Sequence, residues 1–105
     1  MRTAFNPIGN IDMAKDYIID YGSNSNSWYR KWKSGWLEQG GTNFNPTFMK
    51  SFSNTNYTII ITTTMGWGYV ASINAKTTNG CTFHQWQSAS GGNFSNSLLW
   101  YACGF

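Results

Sequence analysis

The stretch SWYRKWKSGWLEQG, Ser27 to Gly40, decides how the rest of the chain is read. Aromatic and long side chains run on both sides of one break, Ser34-Gly35, whose glycine supplies the positive φ of a tight hairpin turn. Ser27 to Lys33 and Gly35 to Gly40 are therefore predicted as two antiparallel strands. Across such a turn Arg30 and Glu38 face each other as an ion pair, which if exposed contributes only about 0 to 1 kcal/mol.

Working outward, Asp16 to Tyr21 (DYIIDY) reads as a strand that ends in the turn-forming tract Gly22 to Ser27 (GSNSNS). Downstream, Thr47 to Phe52 alternates like a strand, and Tyr57 to Thr64 (YTIIITTT) is the richest β-forming window. Gly66-Trp67-Gly68 interrupts. Tyr69 to Thr77 and Cys81 to Gln87 then flank a Thr78-Asn79-Gly80 turn, Ser88 to Asn96 is a long Gly/Ser/Asn loop, and Leu98 to Phe105 closes the chain. No segment fits a helix template. The expectation is an all-β chain, a small antiparallel β-sandwich of about six to eight short strands.

A length of 105 residues corresponds to one domain. Charged residues make up 10% and aromatic residues 18%, so polarity comes from Asn, Ser, Thr and Gly. A surface of that kind suits neutral, hydroxyl-rich ligands or close subunit packing, where amides and hydroxyls bond without burying charge. The net charge of +3 does not suggest nucleic acid, because Arg30, Lys31 and Lys33 are the one basic cluster and a strand splits them between two faces. No apolar run is long enough for a membrane-spanning helix. Cys81 and Cys103, even with His84, supply three ligands where structural zinc takes four. They are read as buried free thiols, or as a disulfide if their strands are neighbours.

Candidate chemistry is sparse. Every acid, Asp12, Asp16, Asp20 and Glu38, lies in the first 38 residues, and none occurs from Gln39 to Phe105. Glycoside hydrolysis ordinarily uses two carboxylates about 5 to 10 Å apart. Asp16 and Asp20, on one face of a strand, stand about 13 Å apart. A nucleophile triad would have to be built on His84, the single histidine, and no GxSxG elbow is present. Calcium meets the same shortage of carboxylates. The chain is thus expected to be non-enzymatic and to need no cofactor or metal. Aromatic rings beside amides and an imidazole are what a sugar-binding face uses, which selects Trp67, Tyr69, His84, Trp86 and Asn93 as candidate ligand contacts.

The hairpin run Trp28-Tyr29-Arg30-Lys31-Trp32-Lys33-Ser34-Gly35-Trp36-Leu37-Glu38-Gln39-Gly40-Gly41 resembles the WYRKY-x-x-GW-x-EQGG signature of C-terminal tip domains of phage and prophage tail-fibre proteins. Asp16 to Tyr21, Asn56 to Ile59, Lys76 to Phe83 and the ending Trp100 to Gly104 follow the order those domains show, so the resemblance covers residues 16–105. Cys81 departs from it, where an aromatic is usual, and residues 67–69 and 88–96 do not match.

The resemblance implies a snail-type-lectin-like homotrimeric β-sandwich on the virion, made in the bacterial host cytoplasm. Such a tip binds a bacterial surface glycan or outer-membrane protein during host attachment. Residues 1–15 would connect to an upstream fibre shaft. Trp28, Tyr29, Arg30, Trp32, Gly35, Trp36, Glu38, Gly40 and Gly41 are then expected to frame the hairpin and a subunit contact rather than to touch ligand. The alternatives are a trimerisation or assembly cap without ligand binding, and part of a depolymerase completed by other domains.

Overall fold

The computed structural model describes residues 15–64, 68–87 and 93–105. Among these the chain is all-β: β1 (Ile18–Ser23), β2 (Ser27–Trp32), β3 (Leu37–Gly41), β4 (Thr58–Thr63), β5 (Tyr69–Thr77), β6 (Gly80–Gln87), β7 (Asn93–Phe94) and β8 (Leu98–Gly104). They form a five-stranded sheet in the order β1-β2-β3-β8-β4 and a three-stranded sheet β5-β6-β7, with every pairing antiparallel. The arrangement is sandwich-like. Leu37, Ile59, Leu98, Trp100 and Ala102 of the larger sheet share one buried cluster with Cys81 and Phe83 of β6.

The β2–β3 hairpin forms where its sequence places it, with Arg30 opposite Glu38 and Trp28 opposite Gly40. Its turn is longer than two residues. Trp32 N donates to Trp36 O at 2.8 Å and Gly35 N to Trp32 O at 2.9 Å, so Lys33 to Trp36 make the loop and Gly35 carries φ 98°. That left-handed φ is the conformation a glycine adopts without Cβ strain. Trp36 leaves the strand to meet Phe105 edge-on at 5.2 Å.

Three segments differ from expectation. Asn93 and Phe94, inside the stretch read as a loop, pair with β6 as the short strand β7. Gly22 and Ser23 extend β1, because Asn24 Oδ1 accepts from Ser27 N and Asn26 N, both at 2.8 Å, and confines the turn to residues 24–26. More consequentially, Thr47 to Phe52 is not a strand. Thr47 makes an isolated bridge to Gly80, and the alternation of Phe48 and Phe52 instead inserts two rings between the sheets. A period-2 pattern records which side chains are buried, and a loop lying on a core satisfies it as a strand does.

This segment fastens the sheets together. Cys81 N donates to Pro46 O at 3.2 Å, Phe83 N to Asn45 Oδ1 at 2.7 Å, Phe48 N to Asn79 O at 2.6 Å and Phe52 N to Thr78 O at 2.9 Å. Asn45 itself sits at φ 52°, a region asparagine tolerates better than most residues. On the other side Gln39, fully buried on β3, donates Nε2 to Lys50 O at 2.8 Å.

Tyr57 completes the join. Its ring stacks on Phe52 at 4.3 Å and meets Phe48 edge-on at 5.4 Å, while Phe48 also lies 5.4 Å from Trp100. The hydroxyl reaches Thr77 O at 2.9 Å and Gly80 O at 3.0 Å, holding the β5–β6 turn. Burial, with the Cys81 thiol nearby, pushes the Tyr57 phenol up to about 12. Tyr57→Phe leaves those two carbonyls without this donor and is expected to cost about 1 to 3 kcal/mol. Phe52→Ala, which opens a cavity beneath the ring stack, is expected to cost about 3 to 5 kcal/mol. Guanidinium unfolding curves measure both, and a Tyr57→Phe midpoint equal to that of the unmodified chain would refute the hydroxyl clamp.

Candidate functional site

Side chains alternate across each strand, so the register fixes what each sheet face carries. On the outer face of the three-stranded sheet Val70 lies opposite Trp86 and Ser72 opposite His84. Alternation along β6 puts Thr82 on the same face, and at the β5 bulge between Ile73 and Ala75 Asn74 Nδ2 donates to Thr82 Oγ1 at 3.3 Å. The His84 and Trp86 rings meet edge-on with centroids 5.2 Å apart. In β7, Asn93 takes the register position opposite Trp86. His84, Trp86 and the Asn93 position are therefore neighbours on one face.

Tyr69 does not join them. It pairs with Gln87 in register, on the face that carries Phe83 and Gln85, and its ring packs edge-on against Phe94 at 5.2 Å. Tyr69 is the first residue of β5, as its sequence places it, and strand alternation turns it to the face opposite His84 and Trp86. Trp67 lies outside the described residues. Val70 and Ser72 are the additions that the sequence reading missed, and cross-strand register was the signal that could have supplied them.

This face holds no carboxylate, because residues 39–105 have none. The one charged residue on β5, β6 or β7 is Lys76, and it is engaged elsewhere. Its Nζ donates to Tyr57 O at 2.7 Å and lies 4.7 Å from the centre of the Tyr57 ring. What remains outward is imidazole, indole, amide, hydroxyl and methyl. Such a set can stack on the CH face of a sugar ring and hydrogen-bond its hydroxyls without desolvating a charge.

The hairpin residues build a different surface, the outer face of the five-stranded sheet. Trp28, Arg30 and Trp32 of β2 lie there with Glu38 and Gly40 of β3 and Leu99, Tyr101 and Cys103 of β8. A Cβ on Gly40 would stand 2.9 Å from Trp28 Nε1, so the missing side chain is what lets the indole cross this strand. Tyr29 and Gly41 face inward. Tyr29 OH donates to Asp20 Oδ1 at 2.9 Å, and Lys50 Nζ bonds Asp20 Oδ2 at 2.8 Å.

Glu38 is the hub of the outer face. Its carboxylate accepts from Arg30 Nε at 2.8 Å, Trp32 Nε1 at 3.2 Å and Tyr101 OH at 2.7 Å. Burial alone would raise its pKa. The bonds from Tyr101, Arg30 and Trp32 together outweigh that and hold the carboxyl below its usual range. Burial and then the bond to Glu38 push the Tyr101 phenol up. The Arg30 guanidinium carbon also lies 5.1 Å from the centre of the Trp28 ring. The expected exposed pair is therefore a three-donor network, with the Glu38 side chain only 17% exposed.

The other described acids are likewise tied down. Asp16 accepts from Ser34 N at 2.9 Å and from Ser34 Oγ, and it precedes β1. A register shift between Ile18 and Asp20 interrupts the alternation that would have put Asp16 and Asp20 on one regular strand face. Hydrogen bonds hold both carboxyls below their ordinary values, Ser34 acting first at Asp16 and Lys50 first at Asp20. No group of three or more His, Cys, Asp or Glu that could hold a metal occurs among the described residues.

The thiols are free and unlike each other. Cys81 is buried in the core, where desolvation pushes it up to about 12, whereas Cys103 is half-buried on the outer face beside Glu38. The reading of two buried thiols is corrected for Cys103, because β8 buries Leu98, Trp100, Ala102 and Gly104 and turns the odd-numbered positions outward.

No family model, curated protein or solved structure matches the chain.

Because the Glu38 carboxyl is depressed in the folded protein, its contribution is present above its ordinary value of 4.5 and is lost as pH falls through the lowered one. Glu38→Gln is expected to lower stability at pH 7 and to flatten the acid limb of the stability–pH curve. An acid limb equally steep in the variant would show that the other carboxylates carry it.

Proposed function

We propose that the chain is the receptor-binding tip domain of a phage tail fibre, a non-enzymatic adhesin that recognises a bacterial surface saccharide as a homotrimer on the virion. The observation that carries the reading is the outer face of the three-stranded sheet. There an indole and an imidazole meet at 5.2 Å among hydroxyls and amides, with no carboxylate anywhere from residue 39 onward. A neutral glycan is the ligand such a face fits, since nothing on it would attract an ion and its polar groups match sugar hydroxyls.

The hairpin's likeness to tail-fibre tips supplies the biological setting. A single shallow face binds weakly, and three copies on one fibre convert weak contacts into firm attachment through effective concentration. Recognition is favoured over hydrolysis because the described acids are each committed to hydrogen bonds from neighbouring side chains, and none stands beside a second acid at a sugar-binding face.

Binding of the labelled domain to host cells and to a glycan array tests the reading. Trp86→Ala is expected to weaken binding at least about tenfold, on the order of 1.4 kcal/mol, and His84→Ala by a smaller factor. Tyr69→Phe is expected to leave binding unchanged. Binding that survives Trp86→Ala and His84→Ala together would remove this face from the site. Release of new reducing ends from capsule or lipopolysaccharide by the domain alone would overturn the adhesin reading.

A further inference from the structure

The outer face of the three-stranded sheet does not end at His84. Alternation along β6 carries it from Trp86 through His84 and Thr82 to Gly80, and the register sets Ala75 beside Thr82 and Thr77 beside Gly80. At about 3.3 Å of rise per residue that run is about 20 Å long. At its far end the face turns concave. Gly80 projects no side chain, and a Cβ there would collide with Pro46 O. β7 pairs with β6 at Gln85 and Trp86, and beyond them the segment Asn45 to Thr47 lies along β6 instead, through the Cys81 N to Pro46 O bond and the Thr47–Gly80 bridge. Between that segment and β5 lies a cleft of about 250 Å³, lined by Asn45, Thr47, Ala75, Thr77, Asn79 and Thr82.

The cleft continues the chemistry of the face. None of its lining residues is charged, and Lys76, between Ala75 and Thr77, is held on the Tyr57 carbonyl. Its polar groups keep donors to offer. Asn45 Oδ1 accepts from Phe83 N at 2.7 Å, and Asn79 Oδ1 accepts from Ser51 Oγ at 3.4 Å. Both amides are thus fixed by their oxygens, while neither Nδ2 has a partner among the described residues. Thr82 Oγ1 accepts from Asn74 Nδ2, which leaves its own proton to donate. The volume is below the roughly 300 Å³ at which pockets begin to enclose a drug-sized ligand, so the cleft takes one small, uncharged, hydroxyl-bearing group.

We infer that the cleft is a second saccharide subsite, and that the ligand is a linear oligosaccharide lying along β6 with one ring on Trp86 and a further unit in the cleft. The inference rests on the saccharide reading of the His84–Trp86 face and adds to it the length of the ligand. A single sugar stacked on Trp86 leaves the donors of the cleft to water. A chain that spans both gains their hydrogen bonds without desolvating an ion, and Thr82, common to face and cleft, marks its path.

Calorimetric titration of the full chain with neutral surface polysaccharide from a bacterium that the domain labels, cut into fractions of increasing length, tests the inference. Affinity is expected to rise about tenfold or more once a fragment reaches from Trp86 to the cleft, the gain that about two hydrogen bonds supply. Ala75→Tyr places a ring in the cleft from an exposed position on β5. It is expected to abolish that gain and to leave the shortest binding fragment unaffected. Thr82→Val removes the hydroxyl at nearly constant shape and is expected to cut the gain severalfold. The side-chain amide resonances of Asn45 and Asn79 are expected to shift with long fragments and not with short ones.

Equal affinity for short and long fragments would overturn the subsite and leave recognition at Trp86 standing. So would a length dependence that both Ala75→Tyr and Thr82→Val retain. Failure of the unmodified chain to bind fragments of any length would overturn the saccharide reading itself, and the subsite with it.

Discussion

The stack of Phe52 on Tyr57, braced by Phe48 and Trp100, is the constraint on which the remaining structure depends. Neither sheet can bury its apolar face alone: the larger contributes Leu37, Ile59, Leu98, Trp100 and Ala102, the smaller little more than Cys81 and Phe83. The rings from residues 48 to 57 fill the space between them. The Tyr57 hydroxyl and the backbone bonds from residues 45 to 52 then fix the β5–β6 hairpin in one position. In a chain with few aliphatic residues, aromatic volume does the work that branched side chains do in larger domains.

That constraint also sorts the surfaces. With Phe83, Gln85 and Tyr69 directed inward, alternation along β5 and β6 sends Val70, Ser72, His84 and Trp86 outward together. With Leu98, Trp100 and Ala102 inward on β8, alternation sends Leu99, Tyr101 and Cys103 to the opposite side of the molecule's larger sheet. The two outer faces differ in chemistry. One is hydroxyl, amide and ring with no charge; the other is apolar around a saturated Arg–Glu pair.

Much of this was legible in the residues. The hairpin, the Arg30–Glu38 juxtaposition and the strands over Tyr57 to Thr64, Tyr69 to Thr77 and Leu98 to Phe105 follow from turn chemistry and β propensity, which act locally. Thr47 to Phe52 was misread because burial, not hydrogen bonding, sets the alternation there. The direction of Tyr69 was not legible for a related reason. Sequence shows that it borders a glycine, but only pairing with Gln87 shows which way it points. The Glu38 hub was half visible, since Arg30 is eight residues away whereas Tyr101 arrives from the last strand. Buried polar groups such as Gln39 were not legible at all, because their partners are backbone atoms of a loop.

The placement of charge links fold and function. The described acids are engaged in holding the β1–β2–β3 region: Asp16 at the hairpin turn, Asp20 at Lys50 and Tyr29, Glu38 at Arg30, Trp32 and Tyr101. Among the positive groups, Arg30 bonds Glu38, Lys50 bonds Asp20, and Lys76 bonds the Tyr57 carbonyl. A face of hydroxyls, amides and rings without charge can meet a polyol without desolvating an ion. The uncharged character of that face follows from where Asp16, Asp20 and Glu38 fall along the chain, all before residue 39.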